Sequence, residues 1–261
     1  MLSVWVKGGE QLKRNHIVLL TACIAIIFLG YAFESKSAAA DKGRQYYEKT
    51  GQIVWDIKTE EKIVALTFDD GPHPKYTKEV LDLLNKYDAK ATFFVVGEHA
   101  EKNADIIFRM HEDGHELANH TYTHPFNGKV PQLMKEIKQT NDVIFSITGY
   151  APVLFRPVEG QYTDALIDAV TKEGFKVVMW SWHQDTLDWK NPGVKKIVNN
   201  VLKGTRQGDV ILFHDGGGNR QQTVQALAEI LPQLQKEGYE FVTISELLKV
   251  QKANQSKEAG S

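Results

Sequence analysis

The chain has 261 residues, 42% of them hydrophobic and 25% charged, ordinary globular values with ample length to bury a core. With 31 Lys and Arg against 33 Asp and Glu, the formal net charge of −2 argues against a dedicated nucleic-acid binder, which would be basic. The single cysteine, Cys23, excludes an intramolecular disulfide and a cysteine-based zinc site.

In chain order, residues 1–33 come first. Lys7, Lys13 and Arg14 precede an uncharged apolar run, Ile17 to Phe33. As a helix it would span about 26 Å, against about 30 Å for a bilayer core. That length fits either a cleaved signal, with a small-residue site after Ala40 in "SAAAD", or a retained anchor. The basic flank predicts that the N-terminus stays inside and the rest lies outside the cytoplasm. Residues 34–51 are polar and read as a linker.

From there strand-like and helix-like runs alternate. The strand-like runs are 63–68, 91–96, 116–120, 154–158, 176–182, 209–214 and 241–244, and several are apolar throughout. Helix-like runs fall at 76–87, 103–114, 131–149, 164–174, 193–204 and 223–238, several of them ending in glycine. This alternation predicts an α/β fold with a mostly parallel sheet of about seven strands. Such a sheet either closes as a small, imperfect (β/α) barrel or stays open and doubly wound. Residues 52–250 form the expected catalytic domain, and residues 251–261 read as a disordered tail.

The polar groups gather at the strand ends. Asp69 and Asp70 follow the first strand, and His120 and His124 follow the third. Arg156 lies on the fourth, Asp185 and Asp188 follow the fifth, and His214 and Asp215 end the sixth. In parallel α/β folds the C-terminal strand ends open onto one face, which carries the site. "HTYTH" has metal-ligand spacing but lacks the glutamate of a metalloprotease helix, so a base must come from elsewhere, and "DD" can supply it. Two histidines and a carboxylate suit a catalytic Zn²⁺ and equally a non-haem iron.

"TFDDGP", "HTYTH", Arg156 in "RPVEG", "DTLDW" and "LFHD", in this order, resemble the five motifs of the polysaccharide deacetylase family, carbohydrate esterase family 4. The resemblance covers roughly residues 62–250. It implies a deformed (β/α) barrel and metal-dependent removal of acetyl groups from N-acetylated sugars. Carried over residue by residue, it implies that Asp70, His120 and His124 bind a divalent metal, zinc first, with cobalt or nickel as alternatives. Asp69 would be the general base, paired with Arg156. His214 would be the general acid, with Asp188 as its carboxylate partner. Leu212 and Trp189 would line the pocket for the acetyl methyl.

One departure stands at Glu159, where the family's third motif usually has tyrosine. The family uses this residue's backbone N–H for the oxyanion, which any residue but proline can supply. The added carboxylate is expected to alter substrate choice. The expected substrate is an acetylated cell-wall polysaccharide, peptidoglycan N-acetylglucosamine first and chitooligosaccharide second. The expected membrane contact runs through residues 17–33. The alternative is a wall-associated carbohydrate-binding protein of the same fold without turnover.

Overall fold

The computed structural model describes residues 42–259. The expected membrane segment at 17–33 and the site after Ala40 lie outside the described residues. Among the described residues, no helix is long and apolar enough to cross a membrane. Of the described residues, 43–259 belong to one compact unit.

Why the chain folds here is seen best in β2 (Ile63–Asp69), a β-branched run buried along its whole length. It pairs in parallel with β3 (Ala91–Val95) on one side and β7 (Val210–His214) on the other. The sheet continues through β4 (Glu116–Asn119), β5 (Leu154–Phe155), β6 (Lys176–Val178) and β1 (Ile53–Val54), and β8 (Glu240–Phe241) adds to β2. All these ladders are parallel, with helices as the crossovers. The two ends of the sheet approach each other without a ladder. Ile57 N–H donates to Gly208 C=O at 3.0 Å, and Ser181 N–H donates to Val210 C=O at 3.0 Å. The result is a deformed barrel, joined at this seam by single contacts.

Alternation along the strands divides the core. Phe68, Phe93 and Phe213 stack at centroid distances of 5.0 and 5.6 Å, outside the sheet. They pack there with Leu81 and Leu84 of α2 (Tyr76–Lys86) and Ile230 of α8 (Gln221–Lys236). Ala65, Phe94, Ala118, Val178 and Val210 form a second cluster on the opposite face, with Ile244 and Leu247 of α9 (Ile244–Ala259). Asp69 shares the face of Ala65 by the two-residue strand period, so its carboxylate is aimed inward at the barrel's C-terminal end.

Several expectations differ in detail. The linker reading at 34–51 misses α1 (Arg44–Thr50), which Tyr47 anchors by burial and a hydroxyl bond to Asp164. The run at 103–114 is α4 (Ala104–Glu112), and it is preceded by a helix that was not expected, α3 (Gly97–Lys102), set apart from it by Asn103, which leaves helical backbone geometry at φ −132°. The strand expected over 176–182 stops at Val178, beyond which the chain turns into the site. At the C-terminus, α9 runs through residues assigned to a disordered tail. Lys, Ala, Gln and Glu there are all good helix formers. The remaining crossovers, α5 (Val130–Thr148), α6 (Asp164–Lys172) and α7 (Val194–Gly204), match the expected runs to within two residues.

Candidate active site

Asp70 turns the chain sharply after β2, with φ 73°. The next residue has to be glycine, because a Cβ on Gly71 would come within 2.2 Å of Asp215 Oδ2. The turn presents Asp70 Oδ1 at 3.6 Å from His120 Nε2 and 3.1 Å from His124 Nε2. All three ligand atoms lie within 4.8 Å of one another.

The donor set fits a divalent cation. His120 follows β4 directly, and its Nδ1–H donates to Arg156 C=O at 2.8 Å, leaving Nε2 free as a lone-pair ligand. Burial pushes the His120 pKa down against the opposing fields of Asp69 and Asp70, which favours the neutral, ligating imidazole. Burial works against charge on Asp70. The hydrogen bond from His124 and the fields of His120 and His214 outweigh it and hold the carboxyl well below the usual range. His99, to which the sequence assigns no role, steadies this turn by donating from Nδ1 to Asp70 C=O at 2.8 Å.

Asp69 is held from the other side. The fully buried Arg156 donates from Nη1 to Asp69 Oδ1 at 2.7 Å and to Thr67 Oγ1 at 3.0 Å. Its Nε and Nη2 donate to the carbonyls of Val178 and Met179 at 3.0 and 2.7 Å. Phe94 lies under the guanidinium at 4.0 Å. These contacts fix the carboxylate, whose Oδ2 stands 3.9 Å from His120 Nε2.

His214 ends β7, and its Nδ1 bonds Asp188 Oδ1 at 2.7 Å. Asp188 Oδ2 accepts from His214 N–H at 2.9 Å and from Thr223 Oγ1 at 2.7 Å, so this buried carboxylate is fully engaged. Burial alone would lower the His214 pKa. The bond and charge of Asp188, with Asp70 and Asp69 further off, outweigh that and raise it to about 9. Asp188 itself is shifted down, because the His214 bond and charge overcome its burial.

Asp69, Asp70, His120, His124 and His214 line one cavity of about 480 Å³, together with Asp185, while Arg156 and Asp188 are buried outside its lining. Leu212, Trp189 and Glu159 line it too. Glu159 takes a left-handed backbone, φ 54°, and bonds Gln161 at 3.2 Å. Trp180 and Arg220 also line the cavity and escape sequence reasoning. Trp180 reads as core in a run of apolar residues. Arg220 follows a glycine-rich loop that gives no spacing signal, yet it is buried with Nε donating to Gly216 C=O at 2.6 Å.

Fold and site together define a barrel with a candidate metal site at its C-terminal strand ends, flanked by an arginine-held carboxylate and a carboxylate-held histidine. A family model described as polysaccharide deacetylase matches residues 56–178. A peptidoglycan-N-acetylglucosamine deacetylase of Bacillus cereus is 46% identical over 211 residues, covering 79% of this chain and 97% of its own. A chitooligosaccharide deacetylase of Bradyrhizobium is 37% identical, covering 70% of this chain and 90% of its own. The solved Bc1960 peptidoglycan N-acetylglucosamine deacetylase superposes with a TM-score of 0.75 at 36% identity, covering 79% of this chain and 97% of that one. The chain belongs to the polysaccharide deacetylase family, carbohydrate esterase family 4, and is an enzyme of that class.

Proposed function

We propose that this enzyme hydrolyses the N-acetyl group of N-acetylglucosamine residues in peptidoglycan, with chitooligosaccharide as the second substrate, and that it needs a divalent metal to do so. The observation that carries the reading is the meeting of Asp70, His120 and His124 in a cavity that also holds Asp69 and His214. The names of the similar proteins support the substrate.

Asp70, His120 and His124 would hold the ion, zinc first and cobalt or nickel as alternatives. Such an ion supplies Lewis acidity and makes nearby water a stronger acid. Asp69 takes the proton of the water that adds to the acetamide carbonyl, and Arg156 keeps its carboxylate in place. The amide nitrogen leaves poorly unless it is protonated. His214, kept charged by Asp188, delivers that proton from Nε2 as the C–N bond breaks. The products are acetate and a glucosamine amine. The backbone N–H of Glu159 faces the developing oxyanion, and Leu212 and Trp189 enclose the acetyl methyl.

The enzyme works outside the cytoplasm, either membrane-anchored through residues 17–33 or secreted to the wall. The order of basic flank, apolar run and small-residue site supports this. N-terminal sequencing of the mature protein separates the two forms.

The test is acetate release from purified peptidoglycan and from chitooligosaccharides, by the metal-stripped full chain and after Zn²⁺ or Co²⁺ is added. Metal-dependent acetate that disappears in Asp69→Asn supports the proposal. Absence of acetate from both substrates, with metal bound, rejects it in favour of the non-catalytic binding protein.

A further inference from the structure

The two histidines proposed as metal ligands are held in different ways. His120 is fixed through its own ring, because Nδ1 is bonded to Arg156 C=O and the side chain is only 2% exposed. A ligating histidine is normally oriented by such a bond at its second ring nitrogen. His124 lacks one. Among the described residues its Nδ1 has no hydrogen-bond partner, and its side chain is 29% exposed, so burial does not set the ring either. Its position must then come from the backbone that carries it.

That backbone is unusual. Thr121 and His124 both take left-handed conformations, φ 69° and 56°, which side chains other than glycine's disfavour, a β-branched one most of all. Such a shape persists only where surrounding contacts fix it. Thr121 N–H donates to Asn119 Oδ1 at 2.9 Å. The carbonyls of Thr121 and Tyr122 accept from the N–H groups of Gly97 and Glu98 in the first turn of α3, at 2.9 and 3.0 Å. The N–H groups of Tyr122 and Thr123 both donate to one oxygen, Oε2 of Glu136 on α5, at 3.0 and 2.6 Å. Thr123 Oγ1 lies 3.2 and 3.1 Å from the two carboxylate oxygens. Glu136 is half-buried and, among the described residues, forms no ion pair. Its carboxylate is therefore committed to the two residues that lead into His124.

We propose that Glu136 is a positioning residue for the metal site: by holding the N–H groups of Tyr122 and Thr123, it sets His124 against Asp70 before the ion arrives. The inference rests on the metal reading above. What the loop needs from Glu136 is reach and not charge. In Glu136→Gln the amide oxygen can accept both N–H groups in place of Oε2, and the amide nitrogen can donate to Thr123 Oγ1 in place of Oε1. Glu136→Asp keeps the charge and is one methylene too short.

The experiment measures zinc affinity of the metal-stripped full chain by competition with a chromophoric chelator, and the visible spectrum of the Co²⁺-loaded chain. The variants are Glu136→Asp and Glu136→Gln. Asp142→Ala, which removes a carboxylate of the same helix that pairs with Lys138 at 2.6 Å, is the control and should match wild type. Glu136→Asp should weaken zinc binding roughly ten- to a hundredfold, the range for losing an outer partner of a metal ligand, and should alter the Co²⁺ bands, which report ligand geometry. Glu136→Gln should stay within about threefold of wild type, the low end of what one hydrogen bond is worth, with unaltered bands. Zinc affinity equal in Glu136→Asp and wild type overturns the inference. So does a Glu136→Gln weakened as much as Glu136→Asp or more, which would mark an effect of charge. A weakened Glu136→Asp whose Co²⁺ bands are those of wild type also overturns it, because the loss would then trace to the fold and not to His124. Wild type that binds no zinc removes the metal reading and this inference with it, whereas a zinc-binding wild type that Glu136→Asp equals removes only the inference.

Discussion

Replacing Asp188 by Asn takes away the charge that keeps the proton on His214 while leaving the side chain's shape. The Asn oxygen can still accept from His214 N–H and Thr223 Oγ1, the two bonds that Asp188 Oδ2 now makes. At 1.36 kcal/mol per pKa unit, the rise of His214 from 6.5 to about 9 corresponds to ~3 kcal/mol. Part of this comes from Asp70 and Asp69, and a bound cation would offset that part. About 2 kcal/mol is left for Asp188, equivalent to ~1.5 pKa units. The active form of the acid is protonated, so activity falls as pH rises through the His214 pKa. In Asp188→Asn the alkaline limb of kcat/KM should therefore move to lower pH by ~1.5 units. At pH 8 activity should fall roughly tenfold or more, including the loss of ring orientation. The assay is acetate release over the alkaline range, with the melting temperature as a check on folding. An alkaline limb that stays in place, with activity within about twofold of wild type, would refute the assignment of His214 and Asp188.

Arg156→Met should destabilise the fold by about 3–5 kcal/mol in urea titration, because it leaves buried Asp69 without its counter-charge and strands the acceptors of Thr67, Val178 and Met179. His120→Ala should bind little zinc by elemental analysis, lose at least about 100-fold in activity, and no longer gain melting temperature on zinc addition. His115 is buried with both ring nitrogens unpartnered, and burial lowers its pKa to about 4. The unfolded chain then binds more protons between pH 4 and 6.5, so stability present above pH 6.5 should drain away by ~3 kcal/mol as pH falls to 4, and His115→Phe should flatten that slope. Glu159→Tyr should change the ratio of activity on peptidoglycan to that on chitooligosaccharide, and equal activity on both before and after the change would sink the idea that Glu159 sets substrate choice.

The site was legible in the sequence to the extent that it hangs on strand ends. β2 and β7 are largely apolar runs that stop at Asp69 and His214, β4 hands the chain directly to His120, and parallel pairing brings such ends to one face. Thus Asp69, Asp70, His120, His124 and His214 could be gathered from period and order. Arg220 could not, since it reaches the cavity from the start of α8 after a glycine loop. Nor could the role of His99, because its contact is to the Asp70 backbone and the side-chain pattern is silent about main-chain partners. The same limit hid α1. Its seven residues carry one buried side chain, Tyr47, which is too little apolar period to stand out from a linker.

The five motifs stand far apart in sequence, yet they are mechanically one unit. Arg156 is the reason. Its backbone carbonyl sets the tautomer of His120, and its guanidinium holds Asp69 while tying to the carbonyls that end β6. One side chain thus aims the proposed base and its backbone aims a proposed metal ligand, so a shift of β5 moves both together. On the other wall, Asp188 joins His214 to Thr223 of α8 in the same way. Each charged group is fixed by partners on a different strand or helix before substrate arrives, so little reorganisation is left for the reaction itself. The cost is buried charge: Asp69, Arg156, Asp188 and Asp215 are all nearly inaccessible to water. Burial lifts the pKa of Asp215 to about 7, with Thr77 its one hydrogen-bond partner at the side chain. The hydrophobic layers on both faces of the sheet must offset that cost. This is a physical reason for β2 and β7 to be apolar along most of their length and to end on Asp69 and His214, and for β3 between them and β4 to be buried throughout.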